Sequence, residues 1–390
     1  MADVQIADIG QMIPRTIYDA DHEAFRTQVR RFFETEVVPH HEKWEEQGMV
    51  DREIWTRAGE LGFLCVNAPE EYGGAGGDRR YSAILAEEQV RAGSSGVGFG
   101  LHSDLVANYI INFGTEEQKQ YWIPKMVTGE KIGAIAMTEP GAGSDLQGMK
   151  CRAVSDGDDY IINGSKIFIT NGYMCDFAVV AVVTGDADKG AENISLIIIE
   201  AERDGFTKGK PLKKIGLKSQ DTCELFFNDV RLPKSNLLGN EGDGFIQLMK
   251  ELAWERMMIA IICIQGAETC LADTIAYTKE RQAFGKPISA FQNTRFKLAE
   301  MRSEIQIGRV YVDRCMELIL KKELGIDAAA AAKYWTSDLL SKVVDECLQL
   351  HGGYGYMMEY PVARAYVDSR INRIYGGTNE IMKEIISRML

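Results

Sequence analysis

The 390-residue sequence predicts an α+β fold in three consecutive parts: a helical domain over 1–130, a β domain over 131–238 and a helical bundle over 239–390. Three observations predict it. After Pro233 only Pro287 and Pro361 follow, and proline is strongly disfavoured inside helices. Between Lys131 and Leu238, β-branched and aromatic runs alternate with Gly, Asn and Asp clusters. The first third carries apolar residues at helical spacing on a charged background.

In chain order, Ala20 to Val38 places Phe25, Val29, Phe32 and Phe33 on one helical face and is closed by Pro39. Strands are predicted at Lys131 to Met137, Tyr160 to Asn163, Lys166 to Thr170, Phe177 to Val183, Ile194 to Ile199 and Cys223 to Phe227. Asn163-Gly164 and Asn171-Gly172 read as hairpin turns. The pattern has no βαβ alternation, no internal repeat and no low-complexity stretch. After the Gly239, Gly242 and Gly244 cluster, Phe245 to Glu280 predicts one long helix. Further helices are expected at Asn293 to Lys322, Asp327 to Leu350, Pro361 to Ile374 and Thr378 to Arg388, an antiparallel bundle.

Composition narrows the function. A 45% hydrophobic and 26% charged chain has the apolar surface to build sizeable cores, which excludes disorder and collagen. The formal net charge of −13 argues against a nucleic-acid partner. Eight cysteines lie scattered without a C-x-x-C pair and read as reduced, mostly buried thiols. No metal site is expected; His40-His41 reads as a solvated helix end. No apolar run approaches the ~20 residues that cross a bilayer, so no membrane span is expected. Asp3, Asp8, Asp19 and Asp21 make the start unlike a secretory or transit leader. A cytoplasmic, bacterial-type protein is expected, or a mitochondrial matrix protein whose leader has been removed.

Several active sites are excluded by spacing. Gly285-Lys286 lacks the upstream glycine of a phosphate loop and is followed by Pro287. Gly96, Gly98 and Gly100 imitate a dinucleotide fingerprint, but Leu101 stands at the third glycine and no strand–helix context surrounds them. Without a G-x-S-x-G elbow, His351-Gly352-Gly353 is no esterase oxyanion loop. Three glycine-bearing segments remain: Thr138–Asp145, Phe168–Gly172 and Gly376–Glu380. Each is either an ordinary turn or helix start, or a set of backbone N–H groups and hydroxyls suited to an anionic ligand. On the long helix, Glu255 and Arg256 interrupt the stripe Phe245, Leu248, Met249, Leu252, Ile259, Ile262 and Cys263. A buried carboxylate there is either a base with a raised pKa or half of an ion pair that pins the helix register.

These residues are recognisable together. Over nearly its whole length the chain resembles the acyl-CoA dehydrogenase family, on Thr138 to Asp145, Phe168 to Gly172, Arg281 to Pro287 with Gln292, Gln349 to Gly355, and Tyr375 to Glu380. The resemblance implies an N-terminal helical domain, a middle β domain and a C-terminal four-helix-bundle domain, with FAD between the last two and a neighbouring subunit. It implies FAD contacts at Ile135, Ala136, Met137, Thr138, Gly143 and Ser144, at Phe168, Ile169 and Thr170, and at Thr378, Asn379 and Glu380. Arg281, Phe284, Gln292, Gln349, Leu350, His351, Gly352 and Gly353 are implied to reach FAD across a subunit interface, hence a homotetramer built as a dimer of dimers. Acyl-CoA would lie near Ser144, Ala253, Trp254, Arg256, Gly376 and Gly377. Phe168 stands where many members have Trp.

One departure concerns the chemistry. Many members carry the catalytic glutamate in Tyr-Glu-Gly-Thr, and here the residues are Tyr375-Gly376-Gly377-Thr378. The long-chain and isovaleryl types supply the base from a Glu-Arg pair on the long helix, which here is Glu255-Arg256. The α-proton of a thioester is weakly acidic, so a base must remove it on one face while the β-hydride leaves on the other. The base needs a place in space rather than a place in sequence, and Gly376 keeps the N–H that would polarise the thioester carbonyl. The expected activity is FAD-dependent dehydrogenation of medium- to long-chain acyl-CoA to trans-2-enoyl-CoA, with electrons passed to an electron-transfer flavoprotein. An acyl-CoA oxidase, a short branched-chain (isovaleryl-type) dehydrogenase and a catalytically silent flavoprotein scaffold are the alternatives. The extra C-terminal domain usual in the oxidases is not expected beyond Leu390.

Overall fold

The computed structural model describes residues 12–185 and 193–390. Among the described residues the N-terminal part holds six α-helices: α1 (Ala20–Phe32), α2 (His41–Gln47), α3 (Glu53–Glu60), α4 (Arg79–Arg91), α5 (Ala107–Phe113) and α6 (Glu116–Val127). Asp19 caps α1 by accepting from the backbone of Asp21 and His22, and Thr115 caps α6 by accepting from Gln118. The β part comprises β1 (Gly133–Ala136), β2 (Arg152–Asp156), β3 (Asp159–Thr170), β4 (Phe177–Val183), β5 (Ile194–Glu200), β6 (Phe206–Lys208), β7 (Thr222–Pro233) and β8 (Leu237–Leu238). After it come α7 (Gly244–Glu280), the small pair β9 (Gln282–Ala283) and β10 (Lys286–Pro287), α8 (Gln292–Leu320), α9 (Ile326–His351), α10 (Pro361–Ser369) and α11 (Asn379–Ser387).

The sheet runs β6-β7-β3-β2-β4-β5-β8, with β1 parallel beside β4. Every residue of β4 is buried. Its alternating side chains feed two cores: Phe177, Val179, Ala181 and Val183 pack with Tyr109, Ile110, Trp122 and Ile123 of the helices, while Ala178, Val180 and Val182 pack inside the sheet. That double burial explains its unbroken apolar run.

Two predicted hairpins are corrected. Asn163-Gly164 lies inside a continuous β3, where the register to β7 shifts between Ile162 and Gly164. Gly164 has φ +145°, and a Cβ there would stand 2.7 Å from Cys151 Cα, so the glycine serves the irregularity opposite β7 while leaving room for the backbone just before β2. The β2–β3 turn falls instead at Gly157, with φ +63°. Asn171-Gly172 ends β3, but β3 and β4 are not neighbours in the sheet, so no hairpin forms there. His41 is also corrected: it is buried, 3.5 Å from Glu45, rather than solvated. All eight cysteines are free and buried.

α7 is the axis of the molecule, packed on α4, α5, α8, α9 and β5. The one-sided stripe expected for it gives way to burial all round from Trp254 to Ile261, because helices cover every side, while Met249 is exposed near its start. Contrary to the expectation from apolar runs, α7 is long and apolar enough to cross a bilayer, with a window of mean hydropathy 1.5, of which 61% is buried within the protein. Burial by the fold accounts for that composition. The N-terminal helices are tied to the bundle through fully buried Glu87 of α4, which meets Arg15 at 2.9 Å, Arg26 at 2.8 Å and Arg309 of α8 at 2.9 Å.

Candidate active site

Segments far apart in sequence converge on the first half of α7. β1 runs into Met137 and Thr138, and the chain folds back in a turn where the Glu139 and Ala142 backbones bond each other in both directions, at 2.9 and 3.1 Å. Lys166 of β3, fully buried, fastens this turn: its Nζ donates to the Met137 carbonyl at 2.9 Å and to Glu139 Oε1 at 2.8 Å. Glu139 also accepts the N–H groups of Lys150 at 2.7 Å and Cys151 at 2.9 Å. Burial alone would raise the Glu139 pKa, but Lys166 and these amides outweigh it and hold the carboxyl below its usual range. Beyond the turn, Gly143 and Ser144 are exposed, and a Cβ on Gly143 would meet nothing within 4 Å.

The Ile167 N–H donates to the Thr138 carbonyl at 2.9 Å, which sets the end of β3 beside that turn. There Phe168 is 64% exposed with φ +62°, Thr170 is half-buried, and Ile169 between them points into the sheet core. Ile135 and Ala136 are likewise buried, so these three offer a ligand mainly backbone. Past β3, the buried amide of Asn171 donates to the Gly98 carbonyl at 3.2 Å, and a Cβ on Gly98 would stand 2.0 Å from Asn171 Oδ1. The glycines that imitated a nucleotide fingerprint therefore allow close packing. Gly100, in the same stretch, abuts Met258 of α7.

From the other side comes the turn at Gly376 and Gly377, with φ +62° and +86°. A Cβ on Gly376 would stand 2.4 Å from Ile259 Cδ1, so this turn packs against α7 at a residue one helical turn beyond Glu255. Lys333 of α9, fully buried, donates to the Gly377 carbonyl at 2.7 Å and to Asn379 Oδ1 at 3.0 Å. Asn379 Nδ2 donates to Ser337 Oγ and Asp338 Oδ1, each at 2.9 Å. Its side chain thus braces the turn against α9. Thr378 caps α11 by accepting from the Ile381 N–H at 3.3 Å, and Glu380 is exposed.

Glu255 itself is 5% exposed, and the Tyr109 hydroxyl of α5 donates to its Oε1 at 2.8 Å. Burial pushes its pKa up to about 7; the Tyr109 bond and Arg256 act against that, and Glu251 acts with it. Among the described residues no ion pair within 4 Å joins Glu255 to Arg256, so the two charges are not a register-pinning pair; Arg256 is buried with Nε lacking a partner. Trp254 is buried, its ring 4.6 Å from the Arg79 guanidinium, and Ala253 is half-buried.

The remaining predicted residues lie elsewhere in the chain. Arg281, Gln349, Leu350, His351, Gly352 and Gly353 line a cleft of about 540 Å³ with Tyr277 and Tyr354. His351 stacks on Tyr277 at 4.1 Å and its Nδ1 lies 2.8 Å from the Cys347 carbonyl, so its ring belongs to the cleft wall. Phe284, 96% exposed, and exposed Gln292 sit in the adjoining segment. At ~1.5 Å per residue, Tyr277 lies about 33 Å along α7 from Glu255, so one chain does not join this cleft to the base.

Sequence reasoning missed Tyr109, Lys166 and Lys333. Lys333 was signalled by a lone cation after five alanines, and Lys166 by a charge within a strand; Tyr109 has no local signal.

The chain matches family models for the acyl-CoA dehydrogenase N-terminal domain over 19–130, middle domain over 134–230 and C-terminal domain over 242–390. The chain belongs to the acyl-CoA dehydrogenase family. It is 52% identical to the pig mitochondrial long-chain specific acyl-CoA dehydrogenase, covering 98% of this chain and 89% of that one. A crystal structure of an acyl-CoA dehydrogenase from Geobacillus kaustophilus superposes with TM-score 0.95 at 48% identity, covering 96% and 99%. A glutaryl-CoA dehydrogenase from Mycobacterium smegmatis in complex with FADH2 superposes with TM-score 0.89 at 30% identity, covering 96% and 95%. The enzyme is a flavoprotein that uses FAD. The residues present fit it: Gly143 and Ser144 are exposed beyond the braced 139–142 turn, and the exposed Phe168 and half-buried Thr170 lie next to Ile167, whose N–H is bonded to the Thr138 carbonyl, so backbone and hydroxyl groups are open to a ligand there.

Proposed function

We propose that Glu255 is the base that removes the α-proton of an acyl-CoA thioester in this dehydrogenase, yielding a trans-2-enoyl-CoA. The observation that carries the reading is a buried carboxyl, its pKa pushed up to about 7, one helical turn along α7 from Ile259, against which Gly376 packs where the chain has no carboxylate of its own. Near neutral pH such a group is ionised in a large fraction of molecules yet basic enough to accept a proton. FAD, when bound, supplies the acceptor for the β-hydride. Thr138, Gly143, Ser144, Phe168 and Thr170 would hold it within this chain. The Gly376 N–H would donate to the thioester carbonyl, and Arg256, whose Nε lacks a partner, would face the substrate.

The cleft at Arg281 and Gln349–Gly353 supports a shared cofactor site, since its distance from Glu255 in one chain suits contact with the FAD of a second copy in a homotetramer. Medium- to long-chain straight substrates are favoured by the 52% identity to a long-chain specific enzyme. An electron-transfer flavoprotein is the electron acceptor in this reading.

Anaerobic titration tests it. Saturated straight-chain acyl-CoA, from butanoyl to octadecanoyl, should bleach the oxidised flavin, with best turnover among the longer chains. No bleaching by any thioester would favour a silent scaffold, rapid reoxidation by oxygen an oxidase, and a preference for isovaleryl-CoA the branched-chain type. Glu255→Gln should fold and retain FAD but lose flavin reduction; reduction at the parent rate would refute the base.

A further inference from the structure

We infer that Tyr109 is a positioning residue for the base and that Glu251 opposes it, so that α5 and α7 together decide how the Glu255 carboxylate is aimed and when it is ionised. The inference rests on Glu255 being the base.

The geometry is a two-rung ladder between helices. Tyr109 and Asn112 are three apart on α5, and Glu251 and Glu255 are four apart on α7, so each pair shares a helical face. The rungs are Tyr109 to Glu255 Oε1 and Asn112 Nδ2 to Glu251 Oε1, both 2.8 Å. Tyr109 is fully buried, whereas Asn112 is exposed, so the inner rung holds the base and the outer rung opens to solvent. Among the described residues no other hydrogen bond reaches the Glu255 carboxylate. Oε1 is therefore engaged, and Oε2 is the oxygen left for the substrate proton.

Burial and the neighbouring Glu255 raise the Tyr109 pKa well above its usual value, so its hydroxyl remains a donor throughout the working pH range. A donor stabilises the charged form of the acid it serves, which lowers that acid's pKa, while a second carboxylate four residues away raises it. The other charged groups facing this point are Arg256 of α7, which also favours the carboxylate, and Arg79 of α4, which faces Glu251 and Asp104. Neither hydrogen-bonds Glu255.

The test is stopped-flow flavin reduction by a saturated acyl-CoA across pH, on FAD-loaded parent, Tyr109→Phe and Glu251→Gln. Phenylalanine keeps the ring packing and removes only the donor. Tyr109→Phe should move the rising limb of the reduction rate toward alkaline pH by about one unit and slow reduction at neutral pH about fivefold. Glu251→Gln should move the limb toward acid pH. A Tyr109→Phe profile that superimposes on the parent, or shifts of the same sign in both variants, would overturn the inference. If Tyr109→Phe does not retain FAD, Glu251→Gln decides alone: an acid shift sustains the inference and an unmoved limb overturns it. Glu255→Gln separates the two levels, because parent-like reduction there removes the base assignment itself. An inactive Glu255→Gln beside a parent-like Tyr109→Phe removes only the role of Tyr109.

Discussion

Lys333 holds the Gly377 carbonyl at 2.7 Å from inside the C-terminal bundle, and it is fully buried with a pKa lowered to about 8, chiefly by burial. A cation tolerated there fixes the turn at Gly376 and Gly377, whose Gly376 N–H is the proposed donor to the thioester carbonyl. Lys333→Met would leave the Gly377 carbonyl and part of the Asn379 amide unpaired, at a cost of about 2 kcal/mol. We expect a lower melting temperature together with slower flavin reduction and a higher KM for acyl-CoA. Parent values for both would show that the turn holds itself.

The raised pKa of Glu255 has a consequence for stability. Its native state binds more protons than the unfolded chain between the ordinary glutamate value of 4.5 and about 7, so its contribution is fully present below the unfolded pKa and lost as pH rises through about 7. Above that, the buried charge costs about 3 kcal/mol relative to a neutral group. Glu255→Gln should therefore melt higher than the parent at pH ~8, with the difference fading toward pH ~4. Equal melting curves at both pH values would contradict the burial of this carboxylate.

Gly376 has no room for a side chain, since a Cβ would stand 2.4 Å from Ile259 Cδ1 at a backbone φ of +62°. Gly376→Ala should destabilise by about 1–3 kcal/mol through overpacking and left-handed strain. Ile259→Val removes the opposing Cδ1 and should recover part of that loss in the double variant, measured as a coupling energy in denaturant unfolding. Simple additivity would mean that the two groups do not meet.

The Lys166–Glu139 pair governs the turn at Glu139–Ala142, where the proposed FAD contacts begin. Glu139→Gln leaves the fully buried Lys166 ammonium without its carboxylate, and breaking such a pair costs about 3 kcal/mol. The effect should appear as FAD lost more readily on dilution, followed by flavin fluorescence. Unchanged FAD retention would show that the 138–145 segment keeps its shape without this pair.

Much of this was legible in order along the chain. α7 was expected at Phe245–Glu280 and spans Gly244–Glu280, and β4 falls at Phe177–Val183 as its apolar run predicts. Both are determined by local composition, since a long Pro-free apolar stretch and a short β-branched run each satisfy their backbone hydrogen bonds in only one way. Glu255 was legible because a charge in an apolar helix must be explained, and the loss of the usual carboxylate at Gly376 was visible in one tetrapeptide. Gly164, read as a hairpin, became a bulge because the decision rested on Cys151 across the sheet. His41, read as solvated, was buried by distant packing. The partners that orient the site were beyond reach of the sequence: Tyr109 meets Glu255 across 146 positions, and Lys333 meets Gly377 across 44. By itself the sequence determined the long helix, the buried strand and the charge that interrupts the helix's apolar residues, because those depend on neighbours a few residues away. Only the tertiary structure decided what each charge pairs with, because hydrogen bonds and desolvation depend on distance in space, and the chain reports only distance along itself.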